Sequence, residues 1–126
     1  MVKIVGEKRP LESKGKSSRK RPVGPSLGAG TCIVAYLREP REKAWGFLLR
    51  MEPSGVWIRG IELGSFEDWA RGQASGADGT LGLSTFFVPF LRVEKLVVDE
   101  RMGPVPSMAE RFEAITGKRV ESVLAE

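Results

Sequence analysis

"KAWGFLLRMEPSGVWIRGIEL", residues 43–63, decides the fold. Two runs rich in aromatic and aliphatic residues flank Glu52-Pro53-Ser54-Gly55. Pro53 presets φ at the second turn position and Gly55 suits the fourth, so the stretch reads as strand, turn, strand. Alternation puts Trp45, Phe47, Leu49 and Met51 on one face of the first run and Gly46, Leu48 and Arg50 on the other. In the second run, Val56, Ile58 and Gly60 face one way, and Trp57, Arg59 and Ile61 the other. A glycine inside a strand marks a bulge, a bend or a close backbone approach. Gly46 is therefore expected to mark a sharp bend, the kind that a short sheet needs in order to curl.

Working outward, "TCIVAYLR" (31–38) is a strand, and "EPREK" (39–43) is a charged turn in which Pro40 ends the pairing. After the central hairpin, "GSFEDWARGQ" (64–73) breaks the β pattern. Ser65 and Asp68 have the form of a capping box, and Phe66, Trp69 and Ala70 fall at helical spacing, which predicts a helix of one or two turns. Glu67 and Asp68 fit the first turn of a helix dipole better than a catalytic or metal pair. "ASGADGT" (74–80) is a loop, and "LGLSTFFV" (81–88) is a strand that Pro89 confines to an edge or an end. Phe90, Val93 and Leu96 recur every three residues, suggesting a 3₁₀ turn into a last strand at 95–99.

"SMAERFEAITG" (107–117) is the clearest helix. Ser107 and Glu110 form a capping box, Met108, Phe112 and Ile115 an apolar stripe, and Gly117 a C-terminal stop. The stripe is a packing face that covers one side of the sheet.

The 126-residue chain carries +4 at neutral pH, unevenly distributed. Among residues 1–30, eight basic residues against Glu7 and Glu12 leave +6; the rest, with twelve basic and fourteen acidic, carries −2. The chain divides into a basic tail and linker (1–30) and a folded domain (31–126). The tail is rich in Lys, Arg, Ser, Gly and Pro and has no aromatic residue, a composition that predicts disorder. Lys14, Lys16, Arg19, Lys20 and Arg21 of "KGKSSRKRP" are its candidate contacts to RNA or DNA phosphates. A solubilising extension with no partner is the other reading of the same residues.

The chain contains neither histidine nor asparagine. Ser-His-Asp and Cys-His catalysis are excluded within one chain, and the commonest metal ligand is missing. The expectation is a non-enzymatic protein with no catalytic residues, no metal and no cofactor. A single cysteine, Cys32, excludes an intramolecular disulfide and reads as a small buried hydrophobe. It fits a reducing, cytoplasmic setting. No apolar run approaches the roughly 20 residues that span a bilayer, and the apolar residues of "MVKIVGEKRP" stop at Val5, short of a signal-peptide core.

The arrangement is mostly β: strand, bent glycine strand, strand, short inserted helix, strand, 3₁₀ turn, strand, C-terminal helix. It is similar to a small five-stranded SH3-like barrel, and it most resembles the Sm-like family over residues 31–99. "GFLLRME", Gly46 to Glu52, matches that family's glycine, hydrophobic and acidic spacing, with Leu48 as the hydrophobic residue. The resemblance implies a small barrel with RNA as a partner. The sequence also departs from the family. It lacks the asparagine that follows the acidic position, and a Pro/Gly linker replaces the N-terminal helix. The family's RNA pocket is therefore not carried over. The function expected is low-specificity contact with nucleic acid, RNA above all, through the tail. The alternative is a protein-interaction or self-assembly module using Phe86, Phe87 and Phe90 of "FFVPF" at a sheet edge.

Overall fold

The computed structural model describes residues 27–76 and 82–124. The basic cluster Lys14, Lys16, Arg19, Lys20 and Arg21 lies outside them, as does most of the expected tail. Five strands, β1 (Cys32–Leu37), β2 (Glu42–Glu52), β3 (Gly55–Glu62), β4 (Ser84–Pro89) and β5 (Val93–Val98), form one antiparallel sheet in the order β4-β3-β2-β1-β5. Two helices, α1 (Phe66–Ser75) and α2 (Met108–Thr116), complete the fold with short 3₁₀ turns at 63–65, 90–92 and 120–123. β4 and β5 are the edges, and no ladder joins them among the described residues. Pro89 closes edge strand β4, where its missing N–H costs no ladder bond to a further strand.

Both faces of the sheet are buried, by different means. On the outer face, Trp45, Phe47 and Ile61 meet Phe66, Trp69 and Ala70 of α1, Phe112 of α2, and Val120 and Val123. Trp69 stacks on Phe112 at 4.9 Å, and Trp45 meets Phe66 edge to face at 5.0 Å, geometries that aromatic rings favour. On the inner face, Ile33, Ala35, Leu37, Leu48, Val56, Ile58 and Val88 form a second cluster, with Phe86, Val93 and Leu96 against it. All of these are strand residues, drawn from all five strands, and no described helix covers them. Ile33 and Ala35 are nonetheless fully buried. The strands that supply this cluster are locally bent.

Three irregularities accompany the bend. Gly46 pairs directly with Gly60. A Cβ on Gly46 would lie 2.5 Å from the Arg59 carbonyl oxygen, and one on Gly60 would collide with the Trp45 carbonyl. Gly46, expected to mark a sharp bend, marks a close backbone approach, to which both strands contribute a glycine, and the bulge of β2 lies beyond it, between Leu48 and Arg50. A bulge between Leu48 and Arg50 in β2, and another beside Tyr36 and Leu37 in the β1–β5 ladder, add local bending and twist.

The β2 bulge corrects the alternation expected beyond Leu48. Leu49 is the extra residue, so Arg50 pairs with Trp57 on the outer face rather than following Leu48, and Met51 pairs with Val56 and is exposed rather than joining Trp45. The capping box expected at Ser65 does not form either. A 3₁₀ turn at Leu63–Ser65 leads into α1, so Ser65 already has helical backbone angles and its side chain caps nothing. Helix α1 is also longer than one or two turns. The box at Ser107 is complete: Ser107 Oγ accepts from Glu110 N at 3.0 Å and Glu110 Oε1 from Ser107 N at 2.8 Å. Residues 120–123 form a separate 3₁₀ turn that buries Val120 and Val123.

Asp99, just past β5, joins the layers. Its Oδ1 accepts from Met108 N at 2.8 Å, and its Oδ2 from Ala109 N at 2.9 Å and from Trp45 Nε1 at 3.1 Å. One carboxylate thus satisfies two free N–H groups at the start of α2 and the indole of a fully buried tryptophan. No described helix is long and apolar enough to cross a membrane.

Candidate nucleic-acid interface

Helices α1 and α2 cover the middle of the outer face and leave its β2–β3 hairpin end open. Register puts three rows of side chains there. Arg50, Trp57 and Phe87 form one row across β2, β3 and β4; Phe47, Arg59 and Thr85 form the next; Glu52 lies at the tip. The Trp57 and Phe87 rings are 5.2 Å apart and both half-buried. Gly55 makes room for them: a Cβ there would lie 2.5 Å from the Phe87 ring. Leu49, displaced outward by the bulge, joins Arg50 and Trp57 around an open apolar depression of about 420 Å³.

The polar groups at this end are few and oriented. Glu52 Oε2 accepts from Trp57 Nε1 at 2.9 Å and from Arg50 Nη2. These bonds, the indole's first and the guanidinium's second, hold the Glu52 carboxyl below its usual range. They also fix the plane of the indole. Arg59 Nη1 donates to Thr85 Oγ1 at 3.2 Å and pairs with no carboxylate among the described residues. The charged residues at paired outer-face positions are Lys43, Arg50, Arg59, Lys95 and Glu52, so this face leans basic although residues 31–126 together carry −2. Aromatic rings beside arginines on an open sheet are the equipment of a base-stacking surface.

The phenylalanines of "FFVPF" do not form one patch. Phe86 points inward against the inner cluster, Phe87 points outward onto Trp57, and Phe90, on the 3₁₀ turn, is 39% exposed. Sequence periodicity separates Phe86 from Phe87, but the pairing of Phe87 with Trp57 follows only from the β3–β4 register. Glu67 is an ion-pair partner of Arg71 in α1 and Arg111 in α2, so it clamps the helices rather than forming a site with Asp68. Burial, with Asp99 and Glu121 nearby, pushes the Cys32 thiol up to about 12. It stays protonated at neutral pH and is not an activated nucleophile. No protein-family model, curated protein or solved structure matches this chain.

Proposed function

We infer that this protein is a non-enzymatic small-barrel module that binds single-stranded nucleic acid, RNA in particular, with low sequence specificity. The basic tail supplies phosphate contacts, and the Trp57–Phe87 surface supplies stacking. The observation that carries the reading is this half-exposed pair of rings beside Arg50 and Arg59, on a chain whose other basic density lies in residues 1–30. Stacking tolerates any base because every base has a π face, and phosphate neutralisation is blind to sequence, so low specificity follows from both.

The reading as an SH3-like, Sm-like barrel is supported by three observations: the β4-β3-β2-β1-β5 order, the 3₁₀ turn between β4 and β5, and an inner cluster enclosed by strands alone. The experiment is fluorescence anisotropy of a labelled oligouridine with the full-length protein over a range of salt. It is repeated with Lys14, Lys16, Arg19, Lys20 and Arg21 replaced by Gln. The slope of log K against log salt should fall by about 3.5, near 0.7 for each phosphate that is no longer neutralised. An unchanged slope contradicts the role of the tail.

A second reading is a protein-interaction or self-assembly module. It is favoured by Phe90 and Leu91, 39% and 82% exposed on the turn beside open edge β4. A monomeric mass at high concentration would remove its self-assembly form.

A further inference from the structure

At the opposite end of the outer face, Tyr36 stands between Lys43 of β2 and Lys95 of β5, its direct partners on either side in the sheet. Lys43 Nζ is 5.0 Å and Lys95 Nζ 4.8 Å from the centre of the one Tyr36 ring. The two lysines reach the ring from opposite neighbouring strands, and long lysine side chains lose rotamer freedom when held, a cost that the ring's quadrupole offsets only in part. Neither lysine has a carboxylate partner among the described residues.

Glu42, the sequence neighbour of Lys43, is occupied elsewhere. Glu42 accepts from Arg92 Nη2 at 2.9 Å, while the same guanidinium donates to the Arg38 and Pro40 carbonyls at 2.9 and 2.8 Å. Arg92 thereby pins the β1–β2 loop and engages Glu42, which strand alternation puts on the opposite face from Lys43. The β-bulge beside Tyr36 adds Glu94 as an extra β5 residue with no partner in the ladder, and Arg38 and Arg41 are exposed on the adjoining loop. The basic residues at this end, Arg38, Arg41, Lys43, Arg92 and Lys95, exceed the acidic Glu39, Glu42, Glu62 and Glu94 by one.

We propose that Lys43 and Lys95, held by Tyr36, form a phosphate clamp for the sugar–phosphate backbone of a single-stranded nucleic acid. Charge complementarity selects the occupant: two exposed ammonium groups with no carboxylate partner among the described residues, on the sheet face that also carries Arg50 and Arg59, call for a polyanion. Tyr36 is a positioning residue that holds one ammonium group from each neighbouring strand within about 5 Å of its ring centre. The clamp lies across the helix layer from Trp57, so it is a second contact on the same face. It rests on the nucleic-acid reading proposed for the Trp57–Phe87 surface.

The test uses the full-length protein, the labelled oligouridine, and the variants Lys43→Gln/Lys95→Gln and Tyr36→Leu. The double variant should reduce the salt slope by about 1.4, two phosphates at roughly 0.7 each, and weaken binding at low salt. Tyr36→Leu should weaken binding while leaving most of the slope, because both charges remain. Both lysines are exposed, so an unchanged thermal midpoint is expected of the double variant. Wild-type binding with an unaltered slope in the double variant overturns the clamp and leaves the nucleic-acid function standing. Absence of wild-type binding at every salt concentration overturns both.

Discussion

Gly46 and Gly60 face each other across β2 and β3, so close that neither position accommodates a Cβ without displacing backbone. The pair sits where the outer face carries Trp45 and the inner face must curve around Ile58. Replacing Gly46 with alanine places a methyl against the Arg59 carbonyl and should destabilise the domain by about 3 kcal/mol, at the upper end of overpacking costs. Urea unfolding followed by tryptophan fluorescence measures it. A loss below about 1 kcal/mol, the lower end of those costs, would mean that the sheet bends elsewhere.

Asp99 gives a second stability prediction. Asp99→Ala leaves the buried Trp45 indole and two N-terminal N–H groups of α2 without their acceptor, and should cost about 2–3 kcal/mol. Asp99→Asn keeps one carbonyl oxygen and should cost less. Equal losses in the two variants would show that charge, rather than acceptor geometry, holds α2 in place.

The sequence makes some of this legible and hides the rest for identifiable reasons. Strand alternation up to Leu48 and the Ser107 box are local patterns, and each is present in the fold, whereas Gly46 marks a close approach to Gly60 rather than the expected bend. The β2 bulge is not legible, because "FLLRM" offers no residue that marks Leu49 as extra. Ser65 and Asp68 satisfy the capping pattern, but a preceding 3₁₀ turn has already made Ser65 helical. Asp99 looks like an ordinary charge after a strand until β5 is docked beside β1. The Trp57–Phe87 and Lys43–Tyr36–Lys95 groupings exist only through strand register, which the sequence pattern does not specify.

Acid should unfold the protein through its carboxylates. Glu52, Glu67 and Glu110 all have carboxyls held below the ordinary glutamate range: Glu52 by Trp57 and then Arg50, Glu67 by Arg111 and then Arg71, Glu110 by the Ser107 backbone and then Arg101. A depressed folded-state pKa contributes stability that is full above the unfolded value and is lost as pH falls through the folded value. The thermal midpoint should therefore be flat with respect to these groups from about pH 7 to about pH 5 and fall below about pH 4. Glu67→Gln/Glu110→Gln should flatten that fall; an equally steep fall in the variant would place the acid-sensitive groups elsewhere.

Glu52 occupies the Arg50 guanidinium and the Trp57 N–H that a ligand phosphate or base edge would use. Glu52→Gln keeps an acceptor for the indole but removes the competing charge. Affinity for oligouridine should rise several-fold at low salt, and the gain should shrink at high salt as the exposed charges are screened. A weaker-binding Glu52→Gln variant would indicate that the carboxylate itself contacts the ligand.

The most direct measurement is oligouridine binding by full-length Trp57→Leu beside wild type, at low and moderate salt. Stacking contributes roughly 1–3 kcal/mol per base, so the variant should bind about 5- to 150-fold more weakly. Its salt slope should be unchanged, because the phosphate contacts remain. Equal affinity for the two proteins, with the thermal midpoint of the variant intact, would contradict the assignment of the Trp57–Phe87 surface as the nucleic-acid interface.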